Sequence, residues 1–296
     1  MIDFRDRYLI VKTDPITFVT GEIGFYAVNI NANDIACMGG LPRWFLATLL
    51  LPEGSTTKSL VEGIFSQISS TCRDMRIEFI GGHTEITYDL NRPIVVGQML
   101  GEVEKDKLVS VSGARVGDHI LITKGIPIEA ASIIAREKEE ELSEKYSPEF
   151  IARVKDFLHR PGISVLRDAQ IALRSGEVHA LHDPTEGGLA TGLHELALAA
   201  GVGMIIQREK IPILPEGEIL CREYGLDPLG SIASGTLIIV AKAKDSEGII
   251  KNLGKEGISA AIVGEILPKR EGLKLREEDS IKDLPLFERD EITKIY

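Results

Sequence analysis

The segment HDPTEGGLATGLHELALAAGVG, residues 182–203, constrains the fold of this chain more than any other stretch. The apolar run before it predicts a strand. Gly187 and Gly188 then let the backbone turn sharply or pack closely. The Ala- and Leu-rich run at 189–200 predicts a buried helix that ends at Gly201. The chain therefore joins a strand to a buried helix through a short polar loop.

The polar residues of this loop have two interpretations. In the first, Asp183 or Thr185 caps the helix and Glu186 complements the positive end of its dipole. In the second, these side chains and the free N–H groups at the start of the helix hold a ligand. The segment alone leaves both interpretations open.

Strands and helices mix along the whole sequence, which predicts an α+β fold rather than a regular βαβ array. A first strand is expected at 7–12, ended by Pro15. The run FIGGHTEI predicts another strand and then a turn at its two glycines. Helices are expected at 128–142, at 148–158 and from about Gly162 onwards.

The length of 296 residues suits about two domains. The stretch EKDKLVSVSGARVGD is rich in charges and small residues, and a new apolar strand follows it. This change predicts a boundary near residue 112, with domains at 1–112 and 113–296.

Charge and hydropathy exclude several classes of protein. The formal net charge is −11 and no cluster of Lys and Arg stands out, so a general nucleic-acid binder is not expected. No apolar run approaches the roughly 20 residues that span a bilayer, and the first residues lack a signal-like core, so we expect a cytoplasmic protein without membrane contact. The three cysteines are far apart, which is typical of buried thiols rather than a zinc site.

Three further places present acids beside small residues. Asp14 follows a predicted strand, and Asp34 lies after Asn33 inside an otherwise apolar helix, where an unpaired acid is costly. The run GGHTE at 81–85 places polar groups directly after two glycines. Each has an ordinary structural explanation: a turn aspartate, an exposed helix face and a solvated turn. Together with residues 182–203, however, they offer the hard oxygen ligands that suit Mg²⁺ bridging the phosphates of a nucleotide.

The order of these motifs resembles a known family. TD, then NDIA-MGG-P, GGHTE, DPTEGGLA and a GLDPL…ASG loop are similar to the AIR synthetase (PurM)-related superfamily. Its members include selenophosphate synthetase, thiamine-monophosphate kinase and the hydrogenase maturation factor HypE. Among these the chain most resembles HypE, through DPTEGGLATGLHELALAAGVG and YGLDPL.

The resemblance implies a two-domain PurM-like α+β fold. The N-terminal domain would bind ATP and Mg²⁺ and would form a β-barrel with its twin in a homodimer, and the C-terminal domain would be an α/β sandwich. The shared chemistry uses the γ-phosphate of ATP to activate an oxygen of a small-molecule substrate. Carried over by motif, the metal ligands are Asp14, Asp34, Glu85 and Asp183, the catalytic residues Asp183 and His83, and the cofactor-binding residues Thr13, Asn33, Gly81, Gly82, Thr84, Thr185, Gly187 and Gly188.

The sequence departs from the family at four points. Kinase relatives have Asp at His83, so that metal ligand is expected either to be lacking or to be replaced by Glu85. Relatives carry a segment before the first strand that covers ATP, and its lack here is expected to reflect either a true absence or a misplaced start. The chain ends RDEITKIY with its last cysteine at Cys221, so we do not expect it to dehydrate a group on its own tail, as HypE does. The loop IASG carries Ser234 where HypE has Glu.

These points leave three hypotheses. The first is an ATP- and Mg²⁺-dependent phosphotransferase or synthetase, HypE-like but without the HypE cysteine tail. The second is a degenerate relative that serves as a nucleotide-binding scaffold or partner protein. The third is hydrogenase maturation that acts on a tail supplied by another chain.

Overall fold

The computed structural model describes residues 1–17, 19 and 21–296. The chain folds into two compact units, Met1–Leu108 and Val109–Tyr296, each a mixture of helices and strands as expected for an α+β protein. The expected boundary at residue 112 falls in a short 3-10 turn, Val111–Gly113, of the second unit. Among the described residues, no helix combines the length and apolarity that crossing a bilayer requires.

The first unit is a five-stranded sheet with two helices on one face. In chain order its elements are β1 (Ile2–Phe4), β2 (Arg7–Ile16), α1 (Ile23–Cys37), β3 (Leu41–Pro52), α2 (Lys58–Asp74), β4 (Glu78–Thr87) and β5 (Ile94–Glu104). The strand order is β1-β2-β5-β3-β4, and among the described residues of this unit β3 and β4 are the one parallel pair. Alternate residues of β3 and β5 are buried beneath the helices, because successive side chains of a strand point to opposite faces.

Two expectations for this unit are wrong. Pro15 does not end the first strand, because β2 continues to Ile16 with Pro15 opposite Val96 of β5. Proline is tolerated there because, in the part of the chain that the structure describes, β1 pairs only with Arg7–Leu9 and leaves the rest of β2 as an edge on that side. The expected turn in FIGGHTEI is absent as well: β4 continues through both glycines, with a bulge at Ile80 just before them.

The second unit is a seven-stranded sheet with helices on both faces. Its elements are β6 (Asp118–Thr123), α3 (Ile128–Glu137), α4 (Glu139–Ser143), α5 (Pro148–Lys155), α6 (Leu166–Ser175), β7 (Val178–His182), α7 (Gly188–Ala200), β8 (Gly203–Gln207), α8 (Pro215–Glu223), β9 (Ile238–Lys242), α9 (Ser246–Lys255), β10 (Ala260–Leu267), β11 (Leu273–Glu277) and β12 (Ser280–Asp283). The strand order is β12-β11-β8-β10-β6-β9-β7.

The core of the second unit forms where α7 packs on one face of the sheet. Leu189, Leu193 and Leu196 of α7 lie against Ile122 of β6 and Val240 of β9, all fully buried. The helix expected at 128–142 is two helices that meet at Lys138, and the helix expected from Gly162 begins at Leu166. The core positions the loop before α7, which carries the predicted site residues of this unit.

Candidate functional site

Two of the predicted metal ligands lie together in the first unit. Asp14 on β2 and Asp34 on α1 converge on the ammonium group of Lys12, whose Nζ is 3.4 Å from Asp14 Oδ2 and 3.1 Å from Asp34 Oδ1. The carboxylates are about one-third exposed, so a ligand can reach them. Lys12 lies two residues before Asp14 on β2, and its side chain therefore points to the same face of the sheet.

The two acids affect the pKa of Lys12. Burial alone would lower the pKa of its ammonium group, but the carboxylates of Asp34 and Asp14 outweigh burial and raise the pKa above its ordinary value. Lys12 therefore stays protonated at neutral pH. The pair of acids thus already holds a cation, which marks the position as one where positive charge is stabilised.

The donor set at this position suits Mg²⁺ bound together with a nucleotide. Among the residues that the structure describes, no group of three or more His, Cys, Asp or Glu side chains is arranged to hold a metal ion. Mg²⁺ seldom needs such a cage, because it keeps several waters and binds one or two carboxylates plus substrate phosphates. Asp14 and Asp34 provide such a pair of carboxylates. They do not form a structural metal site, in which protein side chains supply all the ligands.

The segment GGHTE lies on the opposite edge of the same sheet. Asp14, Gly97, Ala47 and Gly82 pair successively across β2, β5, β3 and β4, so they form one row on the helix face. Strands are about 4.8 Å apart, which separates Asp14 from Gly82 by about 14 Å.

The direction of each side chain on β4 follows from this row. Thr84 shares the face of Gly82, while His83 and Glu85 point to the other face, where His83 Nε2 lies 3.8 Å from Glu85 Oε2. Both are mainly exposed, at 68% and 57%. Within one chain, the structure therefore does not bring the predicted ligand Glu85 near Asp14 and Asp34.

A cavity of about 350 Å³ adjoins the predicted nucleotide segment. It is lined by Ala47, Phe65, Phe79, Ile80 and residues 81–84. The rings of Phe65 and Phe79 lie with centroids 6.2 Å apart, and both side chains are half-buried. The two glycines of the motif therefore border an aromatic pocket.

The two remaining predictions for this unit fall on different sides of the sheet. Thr13 is exposed on the face opposite Asp14, and its hydroxyl donates a hydrogen bond of 2.9 Å to the carbonyl of Gly97. Asn33 is fully buried within α1.

In the second unit, the loop before α7 contains the predicted residues Asp183, Thr185, Gly187 and Gly188. Asp183 is buried directly after β7 and does not cap the helix, because the N-cap is Gly187 in a left-handed conformation (φ 74°). A Cβ on Gly188 would come within 2.6 Å of the carbonyl of Leu229, so only glycine fits there. The interpretation of Asp183 or Thr185 as the helix cap is therefore wrong.

The loop is held by an aspartate from far along the chain. The carboxylate of Asp290 accepts hydrogen bonds from the backbone N–H groups of Gly187 at 2.7 Å and of Ile232 and Ile292 at 3.1 and 2.8 Å. One carboxylate therefore binds the start of α7 to the loop that contains Ser234. Burial raises the pKa of Asp290, although these three hydrogen bonds favour its charged form.

A buried glutamate lies beside these groups. Glu129, in the first turn of α3, is only 5% exposed. Burial raises the pKa of Glu129 to about 7. Hydrogen bonding to Ser234 partly opposes this shift, and the negative charges of Asp290 and Glu186 add to it. A buried acid that titrates near neutrality is an unusual feature that often marks a functional site.

Sequence reasoning missed three of these groups, for different reasons. Lys12 had a signal, since it precedes Asp14 by the two-residue period of a strand. Glu129 had one as well, because PIEAASII places an acid in an apolar helix, the pattern that singled out Asp34. Asp290 had none, because its partner Gly187 is 103 positions away.

The comparison with protein families accounts for nearly the whole length of the chain. The model of the AIR synthase related protein N-terminal domain matches residues 1–103, and that of the C-terminal domain matches residues 115–275. The chain belongs to the AIR synthase related protein family. Within this family, Asp14, Asp34 and residues 81–84 fall in the N-terminal domain, and Asp183 and Glu129 fall in the C-terminal domain.

Curated members of the family include hydrogenase maturation proteins. A putative hydrogenase expression/formation protein of Methanocaldococcus jannaschii is 28% identical over 280 residues, covering 92% of this chain and 80% of that protein. The carbamoyl dehydratase HypE of Cupriavidus necator is 29% identical over 259 residues, covering 86% and 70%. A thiamine-monophosphate kinase of Aquifex aeolicus is 26% identical over 238 residues, covering 77% and 72%. The resemblance to HypE and to this kinase is thereby confirmed.

Solved structures confirm the two-domain PurM-like fold. HypE of E. coli matches with a TM-score of 0.84 at 22% identity, covering 98% of this chain and 88% of that chain. A HypE crystal structure in complex with ATP matches with a TM-score of 0.81 at 23% identity, covering 99% and 88%.

Proposed function

We propose that this chain is an ATP- and Mg²⁺-dependent enzyme that uses the γ-phosphate of ATP to activate an oxygen of a small substrate. The observation that carries the proposal is the convergence of Asp14 and Asp34 on the Lys12 ammonium group. Two accessible carboxylates are the protein ligands that Mg²⁺ takes when nucleotide phosphates and water complete its coordination.

Family membership supports this choice of chemistry. A HypE protein has been solved with ATP, and a relative of this chain is a kinase. Carbamoyl dehydration, the activity named for the HypE relatives, is one candidate reaction. The bound Mg²⁺ would supply charge stabilisation for phosphoryl transfer, and Asp14 and Asp34 would hold it in place. The roles of His83, Glu85, Asp183 and the cofactor-binding residues stay predictions.

Calorimetric titration of ATP into the purified chain, with and without Mg²⁺, tests the proposal. Asp34→Asn and Asp14→Asn keep the shape of each side chain but remove its charge, so we expect Mg²⁺-dependent binding to weaken at least about tenfold. Asp106→Asn, at an exposed site in the same unit, is the control and should bind as the unchanged chain does.

Three outcomes are informative. Binding that Asp34→Asn abolishes and Asp106→Asn leaves intact supports the metal site. No binding at millimolar ATP, or binding that is indifferent to Mg²⁺ and to both substitutions, contradicts it. Binding of ATP that produces no ADP with any acceptor tested would favour the nucleotide-binding scaffold over the enzyme.

A further inference from the structure

We propose that Lys12 is a specificity-determining residue, whose ammonium group keeps divalent cations off the carboxylates of Asp14 and Asp34 until nucleotide phosphates arrive with them. The inference rests on the proposed function, which gives Mg²⁺ to these carboxylates but leaves Lys12 without a task. Lys12 would make the site take the metal only together with the nucleotide.

The ammonium group lies close to every position that a metal ion on its two partner atoms can take. Lys12 Nζ is 3.1 Å from Asp34 Oδ1 and 3.4 Å from Asp14 Oδ2. Mg²⁺ binds oxygen at about 2.0–2.1 Å, so an ion on either atom would lie within about 5.5 Å of Nζ. This distance is shorter than the Debye length of about 8 Å at physiological ionic strength, so dissolved salt screens little of the repulsion between the two cations.

Lys12 also weakens the attraction of the acidic pair for a free cation. Two ionised carboxylates carry a charge of −2, whereas the three side chains together carry −1. A metal ion that arrives alone must therefore push the ammonium group away and gains only the two carboxylates in return. The acidic pair is thus closed to free metal ions rather than ready for them.

Nucleotide phosphates can open the site because they offer the ammonium group other partners. Lysine carries three N–H donors on a flexible stem, and Asp14 and Asp34 occupy two of them. The side chain of Lys12 is 35% exposed, so phosphate oxygens can reach it, and lysine is a common phosphate ligand. When the ammonium group turns to the phosphates, it leaves the carboxylates to the Mg²⁺ that accompanies them.

This exchange couples the metal to the nucleotide. With phosphates present, both cations keep anionic partners, and the negative charge between them offsets their repulsion. Because linkage between two ligands is reciprocal, the nucleotide strengthens metal binding by the same factor as the metal strengthens nucleotide binding. We call this factor the coupling ratio, and Lys12 raises it by making metal binding without nucleotide unfavourable.

The first test titrates Mn²⁺ into the full chain without nucleotide and counts bound ions by electron paramagnetic resonance. Mn²⁺ takes the same kinds of oxygen ligand as Mg²⁺. Lys12→Met keeps an unbranched side chain but removes its charge, so Mn²⁺ should bind at least about tenfold more tightly than to the unchanged chain. Lys12→Arg keeps the charge and should bind Mn²⁺ as weakly as the unchanged chain. Lys58→Met, at an exposed lysine of α2, is the control and should change nothing.

A double variant and a neutral substitute make the first test specific. Adding Asp34→Asn to Lys12→Met should remove the gain in Mn²⁺ binding, because the ion then loses one of its carboxylates. Lys12→Gln has a neutral side chain that still donates hydrogen bonds, and it replaces Lys12→Met if that variant fails to fold.

The second test measures the coupling ratio as the affinity for ATP with Mg²⁺ divided by that without it, by calorimetry. In Lys12→Met the ratio should fall at least about tenfold, because the metal no longer needs the phosphates to move the ammonium group. A lysine that stayed between the carboxylates in the nucleotide complex would repel the metal equally in both states. Its removal would leave the ratio unchanged, which would overturn the exchange.

The outcomes separate this inference from the proposed function. If Lys12→Met and the unchanged chain bind Mn²⁺ alike while Asp34→Asn loses Mg²⁺-dependent binding of ATP, Lys12 is only an ion-pair partner and the proposed function stands. If Lys12→Met gains a Mn²⁺ site that Asp34→Asn removes, but no chain binds ATP, Lys12 excludes the metal and the proposed function fails. If neither Mn²⁺ nor ATP binds to any of these chains, both proposals fail.

Discussion

At the scale of single residues, an acid in an apolar helix is the most informative signal in this sequence. This signal indicates a functional role for Asp34, which the structure places beside Asp14 and Lys12. The same rule, applied to PIEAASII, would have selected Glu129, which is buried beside Ser234. A cluster formed by residues far apart in the sequence, such as the one around Asp290, has no local sequence pattern, because only the fold brings its members together.

The raised pKa of Glu129 predicts a specific dependence of stability on pH. Its pKa is about 7 in the folded chain against 4.5 in the unfolded chain, so between these values the folded state holds a proton that the unfolded state has lost. Stability from this group is therefore complete below about pH 4.5, falls as the pH rises, and is lost above about pH 7. The loss amounts to roughly 3 kcal/mol.

Glu129→Gln should remove this dependence, because glutamine is neutral at every pH. We expect the free energy of unfolding of the variant, measured by denaturant titration, to exceed that of the unchanged chain more at pH 8 than at pH 5. Glu140→Gln, at an exposed position of α4, is the control and should run parallel to the unchanged chain. Parallel curves for Glu129→Gln would show that Glu129 titrates as an ordinary glutamate.

At the scale of elements, sequence patterns predict most strands and helices but give wrong predictions at glycine and proline. Pro15 and the Gly81–Gly82 pair looked like interruptions, yet both lie within strands. Pro15 is tolerated because β2 has no partner on one side at that point, and Gly82 is required because the carbonyl oxygen of Ala47 on β3 leaves no room for a Cβ, and only the strand order reveals either reason. Local patterns predict where elements form, whereas sheet order decides which local exceptions are allowed.

Gly82 should be indispensable to β4. Gly82→Ala would place a Cβ 1.9 Å from the Ala47 carbonyl oxygen at a φ of 153°, so β3 and β4 would have to separate. We expect a loss of at least about 2 kcal/mol in the free energy of unfolding. Gly54→Ala, where a Cβ would meet no atom within 4 Å, should be nearly neutral. Equal stability of the two variants would contradict the close approach of β3 and β4.

At the scale of the whole molecule, the first unit presents two open edges that carry complementary parts of the proposed site. β1 pairs only with the start of β2, so Asp14 lies on one open edge, and residues 81–84 lie on the other, β4. About 14 Å separates the two in one chain, and Asn31 of α1 covers Gly97, the residue next to Asp14 in the row. A second copy could place its β4 beside β2, which is the arrangement that the predicted homodimer and barrel require.

We predict that nucleotide sites are shared between two copies. Asp34→Asn damages the acidic half of the site, and Thr84→Glu places a negative charge in the half on β4, so each variant alone should lose Mg²⁺-dependent ATP binding. When the two are unfolded together and refolded as a mixture, each mixed dimer contains one site with both halves intact, and it should recover binding of one ATP. Calorimetry measures that recovery, and light scattering after size exclusion confirms the dimer. Dimers that form without any recovered binding would show that each copy holds its nucleotide alone.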